Sequence, residues 1–553
     1  MDAKVTLVVG GSVSGLQMAI KQAETGNKVY LLESCPGLEN EKIISGDSFD
    51  PEHPFTHIDL EKLKDYPNIE IITNADIEKV QAKDGKYRVR IKKRARRVLE
   101  EKCNDCKDCI RVCPINMWDD YNQCISYRTA IDYFNSDLFS YSIVKETPIC
   151  QRTCPVNLDV RGYLGLIADG KYEESLSLIR EKLPFPGIIG RICPHPCEDF
   201  CNRGTTDKPL CIRDLKRFVA DYELESGKPQ ACKERLNSRE EKIAIIGSGP
   251  AGLTCAHDLA LEGYKVVVYE ALPRAGGMLA VGIPDYRLPQ TILEQEIDVV
   301  RDMGVEIKYN TTLGKDFTLD DLIKQGYRAI FIAVGAHLGM SMRTPGEDTP
   351  GVVSGVVLLR DLNLGEKVAV GRRVGVIGGG NVAIDAARSS LRCGSQEVII
   401  FYRRSRAEMP ASDEEIEAAL HEEIKIEYLT APQEVIVKDN RVKGLRLIRM
   451  ELGEPDASGR RRPVPIEGSQ FEVELDMIIP AIGQRSDLSF IPEGDIIKTT
   501  RWGTIVVDSD TLATGKPGVF AGGDCVDGPG IAIQAIATGK KAAESINNYL
   551  TNN

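Results

Sequence analysis

A chain of 553 residues is too long for a single core, and at roughly 100–200 residues per domain it is expected to fold as three to five units. Charged residues make up 27% and hydrophobic ones 42%, the balance of a soluble globular protein, and the net charge of -12 argues against nucleic acid or an anionic membrane as the main partner. No run of about eighteen apolar residues occurs, and the first residues lack the basic-then-apolar layout of a signal peptide, so membrane insertion is not expected.

In chain order, Val5 to Val9, a glycine turn from Gly10 to Gly15, a helix to about Glu24, and Val29 to Leu32 ending at Glu33 read as a βαβ opening. Residues 1–101 are expected to form this truncated βαβ domain. The basic run Lys92-Lys93-Arg94-Ala95-Arg96-Arg97 reads as a solvated strand face or partner contact, since the chain around it is acidic. Residues 102–145 follow as a ferredoxin-like segment. Its Cys103, Cys106, Cys109 and Cys113-Pro114 have the bacterial spacing for a [4Fe–4S] cluster; because the fourth cysteine of that motif can serve another cluster, Cys124 is the spare candidate.

Residues 146–235 carry a second group in helix-compatible sequence such as Tyr172 to Lys182: Cys150, Cys154-Pro155, Cys193-Pro194-His195-Pro196-Cys197, Cys201 and Cys211. Eleven of the sixteen cysteines fall between Cys103 and Cys211. In a large chain without a secretion signal, such short-gap groups read as metal ligands in a reducing cytoplasm and not as disulfides. The spacing of the second group leaves its arrangement open; two or three clusters in all are expected.

After a polar linker, Ile243 to Ile246 lead into Gly247-Ser248-Gly249-Pro250-Ala251-Gly252, and Glu270 closes the next strand. Gly247 permits the tight turn, Gly249 lets a pyrophosphate approach the backbone, Gly252 lets helix and strand pack, and the acid suits ribose hydroxyls. Gly276-Gly277-Met278 would let the backbone approach a cofactor. Downstream, Gly522-Gly523-Asp524 after an apolar strand, followed by a helix from Ile531 to Ile546, is where two-dinucleotide flavoproteins hold the flavin ribityl chain. FAD is the expected ligand, in a domain formed by residues 236–370 and 480–553.

The third glycine turn, Gly378-Gly379-Gly380-Asn381-Val382-Ala383, opens the domain expected at 371–479. Its second strand ends in Arg403-Arg404, with Arg406 beyond, where an NAD-selective site places a carboxylate; guanidinium groups suit a 2′-phosphate, so NADPH is expected. Hydride transfer between stacked nicotinamide and flavin needs no triad, and no catalytic side chain is assigned. The six histidines form no ligand pair and read as structural. The fold class is therefore α/β, with two Rossmann-like domains, the FAD domain split around the NADPH domain, after a helical iron–sulfur domain and the truncated βαβ domain with its ferredoxin-like insert.

From about Pro148 onward the chain resembles the small subunit of NADPH-dependent glutamate synthase and its relatives, among them the NADPH-binding subunit of bifurcating transhydrogenases. The resemblance rests on Gly190-Arg191-Ile192-Cys193-Pro194, Gly282 to Pro289, Gly378 to Asp385, Tyr402-Arg403-Arg404 with Met409-Pro410, Ser458 to Pro465, and Ala481-Ile482-Gly483-Gln484. It implies one cluster on Cys154, Cys193 and Cys197 and another on Cys150 and Cys201. The family's further cysteine pair just upstream of Cys150 is replaced by Phe139-Ser140-Tyr141-Ser142, and Cys211 is the candidate to replace the family's polar fourth ligand to the cluster on Cys154, Cys193 and Cys197. The first 145 residues resemble a fragment of the flavin-domain subunit of heterodisulfide reductase. Two readings stay open there: a second flavin at Gly10, Gly15 and Glu33, or a βαβ platform that carries the cluster insert and docks a partner.

The resulting expectation is an electron-input subunit, with bifurcation among the activities of the families it resembles. It would move electrons between NADPH and a partner redox protein or ferredoxin through FAD and [4Fe–4S] clusters, in a cytoplasmic hetero-oligomeric complex. The alternatives are a non-catalytic electron-wiring subunit or a glutamate synthase small subunit.

Overall fold

The computed structural model describes residues 4–35, 37–38, 63, 65–83, 86–93, 108–111, 116–118, 127–129, 131–133, 141–143, 148–226, 238–456 and 459–552. The chain divides into two compact units, Met1–Thr147 and Pro148–Asn553.

In the first unit, strands Val5–Val9, Lys28–Leu32 and Ile69–Ile72 form a parallel sheet in that order. The helix Val13–Glu24 repeats apolar residues at three- and four-residue spacing, and Leu16, Ala19 and Ala23 pack on Val8, Val29 and Leu31. Strands Ala75–Lys83 and Lys86–Lys93 make a hairpin in which Lys92 and Lys93 are exposed. The rest of the basic run lies outside the described residues. So do Cys103, Cys106, Cys113 and Cys124; Cys109 is half-buried on the short helix Asp108–Arg111.

The second unit is built on a five-stranded parallel sheet in the order Glu306–Lys308, Lys265–Tyr269, Lys242–Ile246, Tyr327–Ile332, Val519–Ala521. Its central strand is apolar along Ile243 to Ile246 and buried throughout that stretch, as a parallel strand covered on both faces must be. The helices Pro250–Leu261 and Ala532–Asn552 share one core through Leu253, Ala256, Ile536 and Ala543. The last helix continues past Ile546 because Tyr549 still packs edge-on against Phe520.

Inserted in this unit is a four-stranded parallel sheet, Lys425–Glu427, Glu397–Phe401, Arg373–Ile377, Met477–Pro480. A three-stranded antiparallel meander, Thr430–Lys438, Arg441–Pro455 and Arg461–Glu474, completes the insertion. The chain enters and leaves it through Leu338–Gly339 and Gln484–Arg485, which pair antiparallel. The expected α/β class with two Rossmann-type sheets is what the chain adopts.

Six α-helices, from Ile149–Arg152 to Ile212–Ser226, and the 3-10 turn Asn202–Thr205 form the cysteine-rich segment. Tyr163, Ile179, Ile189 and Val219 belong to the same core as Leu253 and Ile297 of the five-stranded layer. A carboxylate strengthens that joint: Gly187 N and Ile188 N, at the start of the helix Pro186–Ile192, donate to the two oxygens of buried Glu296 at 2.7 and 2.8 Å. No helix among the described residues is long and apolar enough to cross a membrane.

Candidate active site

The strand Lys242–Ile246 runs into the turn at Gly247, and the helix Pro250–Leu261 leaves it. Gly247 has φ +101°, and a Cβ there would stand 2.3 Å from the Ala333 carbonyl oxygen; at Gly249 a Cβ would meet nothing within 4 Å. The backbone at Gly249 is thus open on the side where a pyrophosphate would approach the helix N-terminus. Glu270, 5% exposed, accepts from Ser248 N at 3.0 Å and from the Ser248 hydroxyl with one oxygen, and from Leu272 N at 2.8 Å with the other. Glu270 holds the turn in shape. Gly277 comes so close that a Cβ on it would lie 2.9 Å from Gly249 Cα. At the far sheet edge Gly523, φ +71°, leads into Asp524, which accepts from Gly530 N at 3.3 Å; burial pushes its carboxyl up to about 6.

These groups line one cavity of about 590 Å³, within the range of small-molecule sites. Gly247 to Ala251, Glu270, Gly277, Gly523 and Asp524 form one wall. Asn381, Val382 and Asp385 form a second, and Ile192 and Pro194, on either side of Cys193, form a third.

The nicotinamide-type turn repeats the first: Gly378 has φ +146°, and a Cβ on it would stand 2.3 Å from the Ala481 carbonyl oxygen, while Gly380 precedes the helix Asn381–Arg392. The paired arginines separate. Arg403 is exposed, whereas Arg404 is buried and donates to the Arg461 carbonyl at 2.8 Å and to Asp456 at 2.7 Å. Arg404 therefore holds the hairpin between the two long strands of the meander. Arg406 pairs with Asp413 and Glu417.

Two cavity residues had no role assigned from the sequence. Arg287 donates to Asp385 at 2.6 Å and pairs with Glu415 at 2.9 Å. Asp385 is 3% exposed, its second oxygen has no hydrogen-bond partner, and burial pushes its carboxyl up to about 7 against the pull of Arg287. Arg388 extends the network by pairing with Glu415 and Glu422, so the loop Gly282–Pro289 is tied to the nicotinamide-type helix. Arg287 and Asp385 both lie in segments that carry the family resemblance, but only folding brings them together. His337 also lines the cavity, and burial lowers its basicity.

The eleven described cysteines are all free thiols. Cys197 has Cys193 and Cys154 among its ionisable neighbours, and Cys150 has Cys201; fully buried Tyr163 lies among Cys197, Cys154 and Cys150. Burial raises Cys193 and pushes Cys197 up to about 12, so these thiols hold their protons until an electrophilic metal displaces them. Cys211 is exposed. Among the described residues no three His, Cys, Asp or Glu groups converge as ligands of one metal ion. A donor set made of thiols, each able to bind a separate iron, is the chemistry an iron–sulfur cluster needs.

In the first unit Gly10 has φ +103° and a Cβ on Gly15 would stand 1.9 Å from the Gly10 oxygen. Glu33 accepts from Gly11 N, from Cys35 N at 2.7 Å and from the Ser34 hydroxyl at 3.1 Å.

The family model described as pyridine nucleotide-disulphide oxidoreductase matches residues 241–539, more than half of the chain. The chain belongs to the pyridine nucleotide-disulphide oxidoreductase family. A second model, dihydropyrimidine dehydrogenase domain II, 4Fe-4S cluster, matches residues 143–228. This member of the family is therefore an oxidoreductase whose cofactors are a flavin dinucleotide, a pyridine nucleotide and, in the cysteine-rich segment, a [4Fe–4S] cluster.

Among relatives, the NADP(+)-dependent formate dehydrogenase subunit beta of Moorella thermoacetica is 48% identical over 73% of this chain and 60% of its own length. The glutamate synthase [NADPH] small chain of Azospirillum brasilense is 36% identical over 73% of this chain and 86% of its own length. Mycobacterium tuberculosis FprA in complex with NADPH matches in fold, at 23% identity and a TM-score of 0.50, over 57% of this chain and 85% of that one.

Proposed function

We propose that this chain is the NADPH-facing subunit of a cytoplasmic electron-transfer complex. Residues 236–370 with 480–553 hold FAD, 371–479 hold NADPH, and the thiols of 146–235 hold the clusters that pass electrons to a partner redox protein. The carrying observation is the single cavity bounded by the flavin-type turn, the nicotinamide-type helix and the residues flanking Cys193. When bound, the flavin would take a hydride from the nicotinamide as two electrons and hand them on singly to the clusters.

The chain's own residues supply position and charge. The N–H groups at the start of Pro250–Leu261 and Asn381–Arg392 face the two pyrophosphates, with Gly247, Gly249, Gly252, Gly378 and Gly380 clearing the approach. Glu270 fixes the flavin-type turn, Asp524 faces the ribityl side, and exposed Arg403 meets the 2′-phosphate. Arg287 and Asp385 hold the two nucleotide units together across the cavity. The names of the relatives, a small chain and a beta subunit, support a place in a hetero-oligomer.

The test is anaerobic titration of the purified full chain. One equivalent of NADPH should bleach the flavin band, and NADH at the same concentration should do so far more slowly. Protein that holds FAD but is not bleached by NADPH would leave the wiring-subunit reading instead.

A further inference from the structure

Lys216 lies on the helix Ile212–Ser226 and is only 6% exposed. The cations around it are each matched to carboxylates: Arg180 to Glu223, Arg191 and Arg217 to Asp221, Arg213 to Glu414 and Asp214. Lys216 has no carboxylate partner among the described residues; the thiols of Cys193 and Cys197 are the ionisable groups its charge acts on. Backbone packing brings the two helices together. A Cβ on Gly190 would stand 2.8 Å from Arg217 Cα, so the helix that carries Lys216 presses directly on the one that ends at Cys193.

Thiolates that bind a cluster carry negative charge, and a buried ammonium on the adjoining helix is the complementary charge. We propose that Lys216 is the fixed positive charge that sets the reduction potential of the cluster held by Cys154, Cys193 and Cys197, and so is a positioning residue for electron transfer. This inference rests on the cluster reading given above. Adding one electron makes the cluster one charge more negative while no protein bond forms or breaks. A nearby cation in a low-dielectric setting favours the reduced form over the oxidised one and raises the potential.

The experiment uses the full chain, purified anaerobically as wild type, Lys216→Met, Lys216→Arg and Cys193→Ala, in redox titrations followed by electron paramagnetic resonance. The Cys193→Ala variant identifies the signal of this cluster. In Lys216→Met that signal should move to lower potential by at least a tenfold change in its one-electron equilibrium, about 59 mV, with the other signals in place; Lys216→Arg should stay near wild type. An unmoved potential in Lys216→Met, or an equal shift in Lys216→Arg, overturns the proposal. If Lys216→Met fails to assemble the cluster, Lys216→Arg decides: wild-type potential supports the proposal and a shift overturns it. A wild-type protein with no signal that Cys193→Ala removes would instead overturn the cluster reading itself.

Discussion

The glycine turn at Gly10 and the one at Gly247 share their local chemistry. In each, an acid at the end of the second strand accepts from the N–H of the residue after the first glycine, Glu33 from Gly11 and Glu270 from Ser248, and the last glycine packs directly on the oxygen of the first. Their surroundings differ. Gly247 is walled by the Ala333 carbonyl at the end of a fourth strand, while a Cβ on Gly10 meets nothing within 4 Å among the described residues. The strand before Gly247 is buried from Ile243 to Ile246, but Val5 is 67% and Val9 61% exposed. A glycine turn with its acid is thus a local device, and at Gly247 the neighbouring strand closes the far side and adds groups such as Gly523 and Asp524.

Substituting the first glycine of each turn should separate the two most strongly. Gly247→Ala combines a positive φ, a cost of about 1–2 kcal/mol, with overlap onto the Ala333 carbonyl, and should yield protein without FAD. Gly10→Ala carries only the φ cost and should keep the wild-type flavin content, read as FAD per chain after desalting. A fall from two flavins to one in Gly10→Ala would show that the first turn also binds.

A smaller effect separates the two arginines. Arg403→Ala should lower the preference for NADPH over NADH by roughly 10–100-fold, the worth of a charged hydrogen bond, measured as the ratio of flavin reduction rates. Arg404→Ala should loosen the hairpin it holds and change that ratio less. Equal losses would return both arginines to the phosphate.

The smallest effect concerns the joint between the cysteine-rich segment and the flavin layer. Burial pushes Glu296 from its ordinary 4.5 up to about 7 despite its two N–H donors. The folded state therefore holds this proton over a range in which the unfolded state releases it, and stability should fall as pH rises from about 4.5 to 7. Glu296→Gln should remove that contribution to the slope and, by disturbing one backbone bond, cost about 1 kcal/mol, measured as the thermal midpoint of flavin release against pH.

The turns, their acids and the strands that lead into them were legible because each depends on a short window in which glycine positions and apolar runs have one physical use. The fate of Arg404 was not, since its partner Asp456 lies on a hairpin that folds back over the strand end. Arg287 with Asp385, and Lys216 with Cys193 and Cys197, were hidden for the same reason. A lone arginine, aspartate or lysine carries no periodicity, and its role appears only when folding brings a distant element beside it.

The proposed route takes electrons in at the shared cavity and out through the cysteines beside it. It is tested most directly by mixing the anaerobic protein with NADPH and freezing samples at intervals, for wild type and Cys193→Ala. The expected result is flavin bleaching at the same rate in both, with the fast cluster signal present in wild type and absent in the variant. An unchanged cluster signal in Cys193→Ala, or clusters reduced in wild type while the flavin stays oxidised throughout, would contradict it.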